Sequence, residues 1–209
     1  MSYRTICLIA FCLSVFLPAN STEHEKPDRC ALYEAYLTER MEVWGEWLEN
    51  DSAFLRCEEA EEAELVLEYE YGYTAYLIQF GTKERAAVGL QRFRQHIEQA
   101  RSQLSIADYK AYLAAAEAYT LKAEGVRLSR IFRCRSYARE ALETDPESPL
   151  AVMINANVMF YFPRIAGGKK QKALELYQKA QDVYRQSGDT ICNWQYREAV
   201  VGEQQCRKY

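Results

Sequence analysis

Residues 138–149 read AREALETDPESP, and residues 167–180 read GGKKQKALELYQKA. In both stretches small side chains recur at three- and four-residue intervals, which is the spacing of one helix face. Pro146 ends the first helix, because a residue that precedes proline is disfavoured in the α region. Ser148 then caps a new helix that has Pro149 in its first position. These stretches predict short helices joined by turns, with a longer glycine-containing connector before the second stretch.

The rest of the chain carries similar helix-capping and turn signals. Ser105 and Asp108 resemble a capping box, and Gly81 and Gly125 mark turns. No segment alternates apolar and polar residues as a half-buried strand would. Eight helices are predicted, over about residues 29–50, 53–80, 83–103, 105–125, 125–145, 149–161, 169–186 and 190–202. The predicted fold class is therefore all-α, with antiparallel helix pairs stacked as a short solenoid in a single domain over residues 29–209.

Two of the predicted helices carry the pattern small-x-x-x-aromatic-x-x-small or a close variant of it. Ala173, Tyr177 and Ala180 fit it directly, and Cys134, Ala138 and Ala141 fit it with a small residue in the aromatic position. Over residues 105–186 the chain therefore resembles the tetratricopeptide family. The Trp-x-x-Leu-Gly-x-x-Tyr pattern of that family's first helix is absent, and the connector 162–168 is an insertion.

This resemblance implies a TPR-like α-solenoid whose concave face is lined by the first helix of each pair and binds peptides or partner proteins. The long connector also makes the chain similar to exported bacterial tetratricopeptide-like proteins, including a periplasmic subunit of some solute-receptor transport systems. The leading hypothesis is a non-enzymatic scaffold of the cell envelope with a protein or peptide partner. The candidate residues on its concave face are Tyr119, Arg127, Met153, Asn157, Phe160 and Tyr161.

A second hypothesis is a periplasmic small-ligand carrier or transport accessory subunit with an aromatic and basic pocket. Tyr69, Tyr73, Tyr76 and Phe80 form a stripe at helical spacing, and arginines recur from Arg127 to Arg139. The two sets could be walls of one cavity, although the aromatic stripe also suits packing between helices. An enclosed pocket would favour the carrier, and an open concave groove would favour the scaffold.

The N-terminus has the pattern of a signal peptide. Arg4 precedes an apolar run over residues 6–17 that ends at Pro18, and small residues follow at Ala19 and Ser21. This pattern predicts a signal peptide over residues 1–21, cleaved after Ser21, and export to the periplasm or cell envelope. A short anchor or a buried first helix is the alternative. Residues 22–28 are expected to form a flexible lead-in, and no transmembrane segment is expected after signal removal.

The cysteines and histidines argue against a metal site or cofactor. Removal of the signal peptide would leave an odd number of cysteines, whose pairing stays open: Cys30, Cys57, Cys134, Cys192 and Cys206. Cys134 is expected to be a buried thiol that behaves as a small apolar residue. There is no Cys-x-x-Cys, and of the two histidines His96 is expected at the surface or half-buried. No constellation of catalytic residues is present, so we predict a protein that is not an enzyme.

Net charge argues weakly against nucleic acid as a partner. The chain carries a formal charge of −4, whereas a phosphate-binding protein is expected to have a basic surface. The acidic residues at the start of the second predicted helix are explained by a solvated helix N-terminus.

Overall fold

A computed structural model of the protein describes residues 28–50 and 60–208. Within these ranges the chain forms nine α-helices and no strand, which confirms the predicted all-α fold class. The helices are α1 Arg29–Leu37, α2 Glu42–Asn50, α3 Ala60–Phe80, α4 Lys83–Gln99, α5 Ile106–Glu124, α6 Leu128–Thr144, α7 Pro149–Tyr161, α8 Lys170–Ser187 and α9 Trp194–Cys206. The predicted signal peptide and lead-in up to residue 27, and Cys57, lie outside the described residues.

Local capping explains why most predicted boundaries agree with the structure. The Ser105 hydroxyl accepts a hydrogen bond from the Asp108 amide at 3.0 Å, and the Ser148 hydroxyl accepts one from the Ala151 amide at 3.1 Å. Each cap satisfies an amide that has no partner inside its own helix. The signals for α5 and α7 are therefore contained in a few neighbouring residues.

The first predicted helix is in fact two. Between α1 and α2 the chain turns at Glu39, which has a φ of 59°. Thr38 contributes to this turn, because its hydroxyl donates to the Glu34 carbonyl at 2.7 Å and competes with helix continuation. The apolar spacing on which the single helix was predicted continues across the turn, since both short helices pack on the same neighbours.

Helices α3 to α9 pack as neighbouring pairs, and the first helices of the pairs also contact one another. Tyr71 of α3 fills the space between them. Its ring lies 5.6 Å from that of Tyr119 on α5 and 5.8 Å from that of Trp194 on α9, and its hydroxyl accepts a hydrogen bond from Asn157 Nδ2 on α7 at 2.9 Å. The side chains of the stack itself therefore occupy the space between its first helices.

The N-terminal hairpin of α1 and α2 is attached to the C-terminal end of the stack. A disulfide joins Cys30 to Cys192, two residues that are 162 positions apart in sequence. The Tyr36 hydroxyl donates to the Glu198 carboxylate. Trp44 lies between α3 and α9, with its ring 4.7 Å from Tyr69. The two ends of the described chain are thus held together by covalent, polar and aromatic contacts.

An ionic cluster lies beside the disulfide. Arg29 Nη1 is 2.9 Å from Asp189 Oδ1, whereas Arg29 Nη2 is 3.5 Å from Glu68 Oε1. Asn193 Nδ2 also donates to Asp189 at 2.8 Å. Asp189 therefore has the shorter contact with the arginine. Burial of the Glu68 carboxyl, whose side chain is 15% exposed, raises its pKa to about 7, and the Arg29 charge only partly opposes this.

Glu68 is expected to make folding stability fall as pH rises. Between the ordinary pKa of an unfolded glutamate, about 4.3, and the folded pKa of about 7, the folded protein holds the extra proton. The free energy of unfolding contributed by this group therefore decreases with pH across that window, by up to about 4 kcal/mol. Urea unfolding at pH 5 and pH 8 should show a smaller loss of stability in Glu68→Gln than in the wild type.

Glu203 provides a control of opposite sign. Hydrogen bonds from Gln181, Arg207 and Gln178 lower the pKa of Glu203 to about 2. Its contribution is present above the unfolded pKa and is lost as pH falls, so Glu203→Gln should destabilise most at neutral pH. Identical pH dependence in the wild type and Glu68→Gln would contradict the assignment of the effect to Glu68.

Candidate functional site

An open groove runs between α6 and α8, with α7 as its floor. Its volume is about 570 Å³. We call it the α6–α8 groove. Its lining residues are Phe132, Arg135, Ser136, Ala138, Arg139, Leu142, Glu143, Asn155, Val158, Met159, Lys172 and Leu176.

The floor of the α6–α8 groove is apolar because α7 is apolar on nearly all sides. Val158 and Met159 of α7 line the groove, and Leu142 and Leu176 extend the apolar surface onto α6 and α8. Asn155, the polar residue of the floor, is buried and donates to the Ala138 and Ala151 carbonyls. Its amide nitrogen is therefore already satisfied, and the floor is suited to an apolar ligand surface.

Cations line the sides of the groove. Arg139 Nε lies 3.7 Å from Glu143, and Lys172 Nζ lies 3.1 Å from Glu175. Both pairs are solvent-exposed and therefore weak, so either cation can turn to a bound carboxylate at little cost. In the described part of the chain no carboxylate pairs with Arg135. The groove thus combines an apolar floor with three cationic side chains.

The connector 162–168 packs against this cationic side. Gly167 has a φ of 91°, in the left-handed region that favours glycine. A Cβ at Gly167 would lie 2.6 Å from Cζ of Arg135, so the missing side chain lets the guanidinium rest on the connector. A Cβ at Gly168 would lie 1.8 Å from the Phe162 carbonyl oxygen. The two glycines therefore allow a close-packed connector next to the groove.

The predicted concave-face residues lie elsewhere, and none of the six lines the α6–α8 groove. The Tyr119 hydroxyl donates to the Tyr71 carbonyl at 2.9 Å, and Asn157 accepts from the Tyr177 hydroxyl at 2.7 Å. Met153 and Phe160 are buried in the core around Tyr177. These four side chains contact neighbouring helices. Arg127 and Tyr161 are exposed, and the Tyr161 ring packs edge-on against Phe160 at 4.9 Å.

The aromatic stripe of α3 and the arginine face of α6 do not meet in one cavity. Tyr69 and Tyr73 are buried between helices, as packing residues would be, and Phe80 is exposed. Arg130 and Arg133 of α6 turn to Glu117 of α5, at 3.5 and 3.1 Å. From the arginine face, Arg135 and Arg139 reach the groove.

The α6–α8 groove was not predicted from the sequence, although two of its cations, Arg135 and Arg139, belong to the predicted arginine face. Phe132, Leu142, Met159 and Leu176 have the spacing of ordinary packing residues. Nothing in that spacing tells whether a neighbouring helix covers them. The separation of α6 from α8 by α7 leaves Phe132 exposed and Leu142 and Met159 partly exposed, whereas Leu176 is buried beneath them.

His96 is buried, which corrects the expectation of a surface or half-buried residue. Its Nδ1 lies 2.9 Å from Glu70 Oε2, and Arg92 Nε donates to Glu70 Oε1 at 2.8 Å. Packing of α4 on α3 covers the imidazole, and the Glu70 carboxylate compensates for its burial. This cluster joins two helices by polar contacts.

Cys134 is buried, as expected, and its Sγ donates to the Ala114 carbonyl at 3.3 Å. Burial raises the pKa of this thiol to about 12, so it is not a nucleophile at neutral pH. Among the described residues no cluster of histidine, cysteine and carboxylate side chains has the arrangement of a metal site.

No protein-family model matches this chain, and no curated protein matches its sequence. A solved structure, the HusA haemophore from Porphyromonas gingivalis, superposes with a TM-score of 0.67 at 17% sequence identity, over 86% of this chain and 91% of that one. The likeness shows a shared helical fold. In the described part of the chain, no helix combines the length and the apolar character needed to cross a bilayer.

Proposed function

We propose that the protein is an exported, non-enzymatic carrier that binds an apolar molecule bearing carboxylate groups in the α6–α8 groove. The observation that carries this proposal is the apolar floor at Val158 and Met159 beneath the cations Arg135, Arg139 and Lys172. Ligand sites commonly combine apolar contact surface with a few polar groups that fix orientation. Here the floor would hold the body of the ligand, and the cations would hold its carboxylates.

The size and shape of the groove favour a flat ligand. A volume of about 570 Å³ falls within the range of roughly 300–1,000 Å³ that is usual for small-molecule sites. The groove is open along one side rather than enclosed, but it lies away from the predicted concave face, so its openness does not favour the scaffold. An open groove suits a molecule that presents one face to the floor. Haem is flat, apolar and carries two carboxylates, and the fold is shared with a haemophore. Haem is therefore the first ligand to test.

The disulfide supports the proposed export. Disulfides persist in oxidising compartments such as the periplasm, and Cys30 and Cys192 are joined in this protein. A signal peptide over residues 1–21 would place them there. N-terminal sequencing of the mature protein should begin after Ser21, and an intact Met1 would contradict the proposal.

A TPR-like assignment is part of the same proposal. The residues that carry the repeat spacing are all buried where the helices of the pairs meet: Cys134, Ala138, Ala141, Ala173, Tyr177 and Ala180. Burial of small residues at these positions is what such a repeat requires, because they let paired helices approach. Binding of a peptide or envelope partner to the concave face stays a prediction, with Arg127 and Tyr161 as its exposed residues.

Ligand binding is expected to depend on the groove cations. A charge-assisted hydrogen bond contributes about 1.5–3 kcal/mol, so replacing Arg135 and Lys172 together with alanine should weaken haem binding by at least about tenfold. Absorbance titration with haem measures this directly. Iron-free protoporphyrin should bind comparably, because the proposed contacts are to the ring face and the carboxylates rather than to iron.

A matched control removes two exposed cations outside the groove, Lys122 and Arg185. Their double alanine variant should bind haem like the wild type. Equal losses in both double variants would show a general charge effect, and the groove assignment would be wrong. Failure of the wild type to bind either porphyrin would remove haem as the ligand.

A further inference from the structure

The turns between helices lie on two opposite edges of the stack, because neighbouring helices are antiparallel. The turns α3–α4, α5–α6 and α7–α8 share one edge with the end of α9. Hydrogen bonds between α8 and α9 support this arrangement: the Tyr184 hydroxyl donates to Gln195 Oε1 at 2.8 Å, and Gln178 Nε2 donates to Glu203 Oε1 at 3.0 Å, so the end of α9 lies towards the start of α8. At the opposite edge the Ser148 hydroxyl donates to Asp108 at 2.7 Å.

Charge is distributed unequally between these edges. The first edge, which we call the basic edge, comprises residues 79–85, 121–131, 161–172 and 203–208, with eleven lysines and arginines against three glutamates. The opposite acidic edge comprises residues 98–108, 143–149 and 185–194, with two arginines against six carboxylates. The basic edge is therefore strongly cationic, although the whole chain has a formal charge of −4.

Exposed apolar side chains stand among these cations. On the basic edge they are Phe80, Val126, Leu128, Tyr161 and Ile165. Ile165 is 98% exposed, at the tip of the connector between Arg164 and Ala166. The connector is closed by backbone hydrogen bonds, from the Ala166 amide to the Pro163 carbonyl at 2.8 Å and from the Gly168 amide to the same carbonyl at 3.1 Å. Ile165 is thus presented on a turn with a defined conformation.

We propose that the basic edge docks on the surface of an anionic lipid bilayer. Lysine and arginine side chains would contact lipid phosphates, and Val126 and Ile165 would enter the headgroup layer. An anionic bilayer presents negative phosphates at its surface and apolar acyl chains just beneath them. The basic edge presents lysines and arginines together with exposed apolar side chains on several turns, so both parts of the bilayer surface have a partner. Nucleic acid would match the cations alone. The contact would be peripheral and does not depend on the ligand of the α6–α8 groove.

The acidic edge would fix the orientation of the molecule on the membrane. Its carboxylates would be repelled by an anionic surface, so the molecule would bind with the basic edge towards the lipid. Lys172, the third residue of α8, and Arg135, whose guanidinium the connector contacts at Gly167, would then be on the membrane-proximal side of the α6–α8 groove.

Co-sedimentation with phosphatidylcholine vesicles, with and without phosphatidylglycerol, tests the proposal. The wild type should bind the vesicles that contain phosphatidylglycerol, and added salt should weaken binding. Each cation near an anionic surface contributes about fivefold to affinity. Replacing Arg127, Arg164 and Lys169 together with glutamine should therefore weaken binding on the order of 100-fold.

Two further variants sharpen the test. Ile165→Asp should weaken vesicle binding by at least about tenfold, because it removes apolar burial and adds a negative charge. As a matched control, replacement of Arg40, Arg101 and Lys179 with glutamine changes the net charge equally away from the basic edge and should leave binding unchanged. Circular dichroism and the unfolding midpoint confirm that each variant is folded.

Three results would overturn the proposal. The first is equal binding to vesicles without phosphatidylglycerol, and the second is an equal loss in the two triple variants. The third is binding to double-stranded DNA as tight as binding to the anionic vesicles, with no effect of Ile165→Asp on either, which would make the edge a general polyanion surface. The groove variant Arg135→Ala/Arg139→Ala, whose two residues line the groove and lie outside the basic edge, should lose haem binding and keep its vesicle binding, so the two proposals can fail separately.

Discussion

Replacing Cys30 and Cys192 together with serine is expected to lower the free energy of unfolding by about 4 kcal/mol. The disulfide spans 162 residues of sequence, and a crosslink that closes a long loop removes more entropy from the unfolded chain than one that closes a short loop. The loss should come with a lower midpoint in guanidinium chloride. Because the hairpin of α1 and α2 is held through this bond, its amides should also exchange hydrogen faster than those of α5.

A reducing agent provides the control for the cysteine replacement. It should lower the midpoint of the wild type to that of the double serine variant and leave the variant unchanged. Cys134 and Cys206 are free and buried, so their thiols do not contribute a second crosslink in the described chain. A wild-type midpoint that does not respond to complete reduction would contradict a stabilising role for the disulfide.

Truncation of Trp44 to alanine is expected to cost about 3–5 kcal/mol of folding stability. The side chain is fully buried, and its ring lies 4.7 Å from that of Tyr69 and 5.5 Å from that of Trp194. Its Nε1 also donates to the Leu32 carbonyl at 2.8 Å. The variant therefore creates a large cavity between α3 and α9 and leaves a buried carbonyl without its partner.

Trp47 offers a matched control three residues further along α2. Its ring lies 5.6 Å from Tyr69, but the side chain is only partly buried. Trp47→Ala should therefore cost much less than Trp44→Ala in denaturant unfolding. Trp44→Phe should fall between them, since it keeps an aromatic ring and loses the indole donor. Equal losses at both tryptophans would show that Trp44 is not the anchor of the hairpin.

The stability losses of the double serine variant and Trp44→Ala are expected to be coupled, because the disulfide and Trp44 hold the same hairpin on the same end of the stack. Once one is removed, the hairpin is more free to open, and the second contributes less. The combined loss of stability should be smaller than the sum of the separate losses.

The hairpin matters for function because it packs beside the space between the first helices of the pairs, where the ligand surface of the scaffold hypothesis was predicted. Tyr71 occupies the space between α3, α5, α7 and α9, and α2 adds Trp44 beside Trp194. Of the predicted concave-face residues, Tyr119 and Asn157 are engaged in this packing. The accessible, chemically distinctive surfaces are instead the α6–α8 groove and the basic edge.

Much of the fold could be predicted because helix signals are local. Ser105, Ser148 with Pro149, and Gly188 act through atoms within a few residues, so their effect on α5, α7 and α8 can be derived without knowledge of the neighbours. The small residues at repeat spacing belong to the same class. Their small size lets two helices pack closely, and this effect does not depend on which helices form the pair.

The candidate site could be predicted only in part, because accessibility is a property of pairs of helices. Arg135 and Arg139 belonged to a predicted basic face, but their companions Met159 and Leu176 come from other helices and have the spacing of core residues. The pairing of Cys30 with Cys192 and the burial of His96 against Glu70 likewise join residues far apart in sequence.

By itself, the amino-acid sequence determined that this protein is all-α, where most of its helices begin and end, and which small side chains lie between them. The reason is that capping groups and side-chain volume act over one or two helical turns. The tertiary structure decided which cysteines pair, that the first predicted helix turns back as a hairpin, and that the α6–α8 groove stays open. These features depend on contacts between distant segments, whose geometry local patterns do not specify.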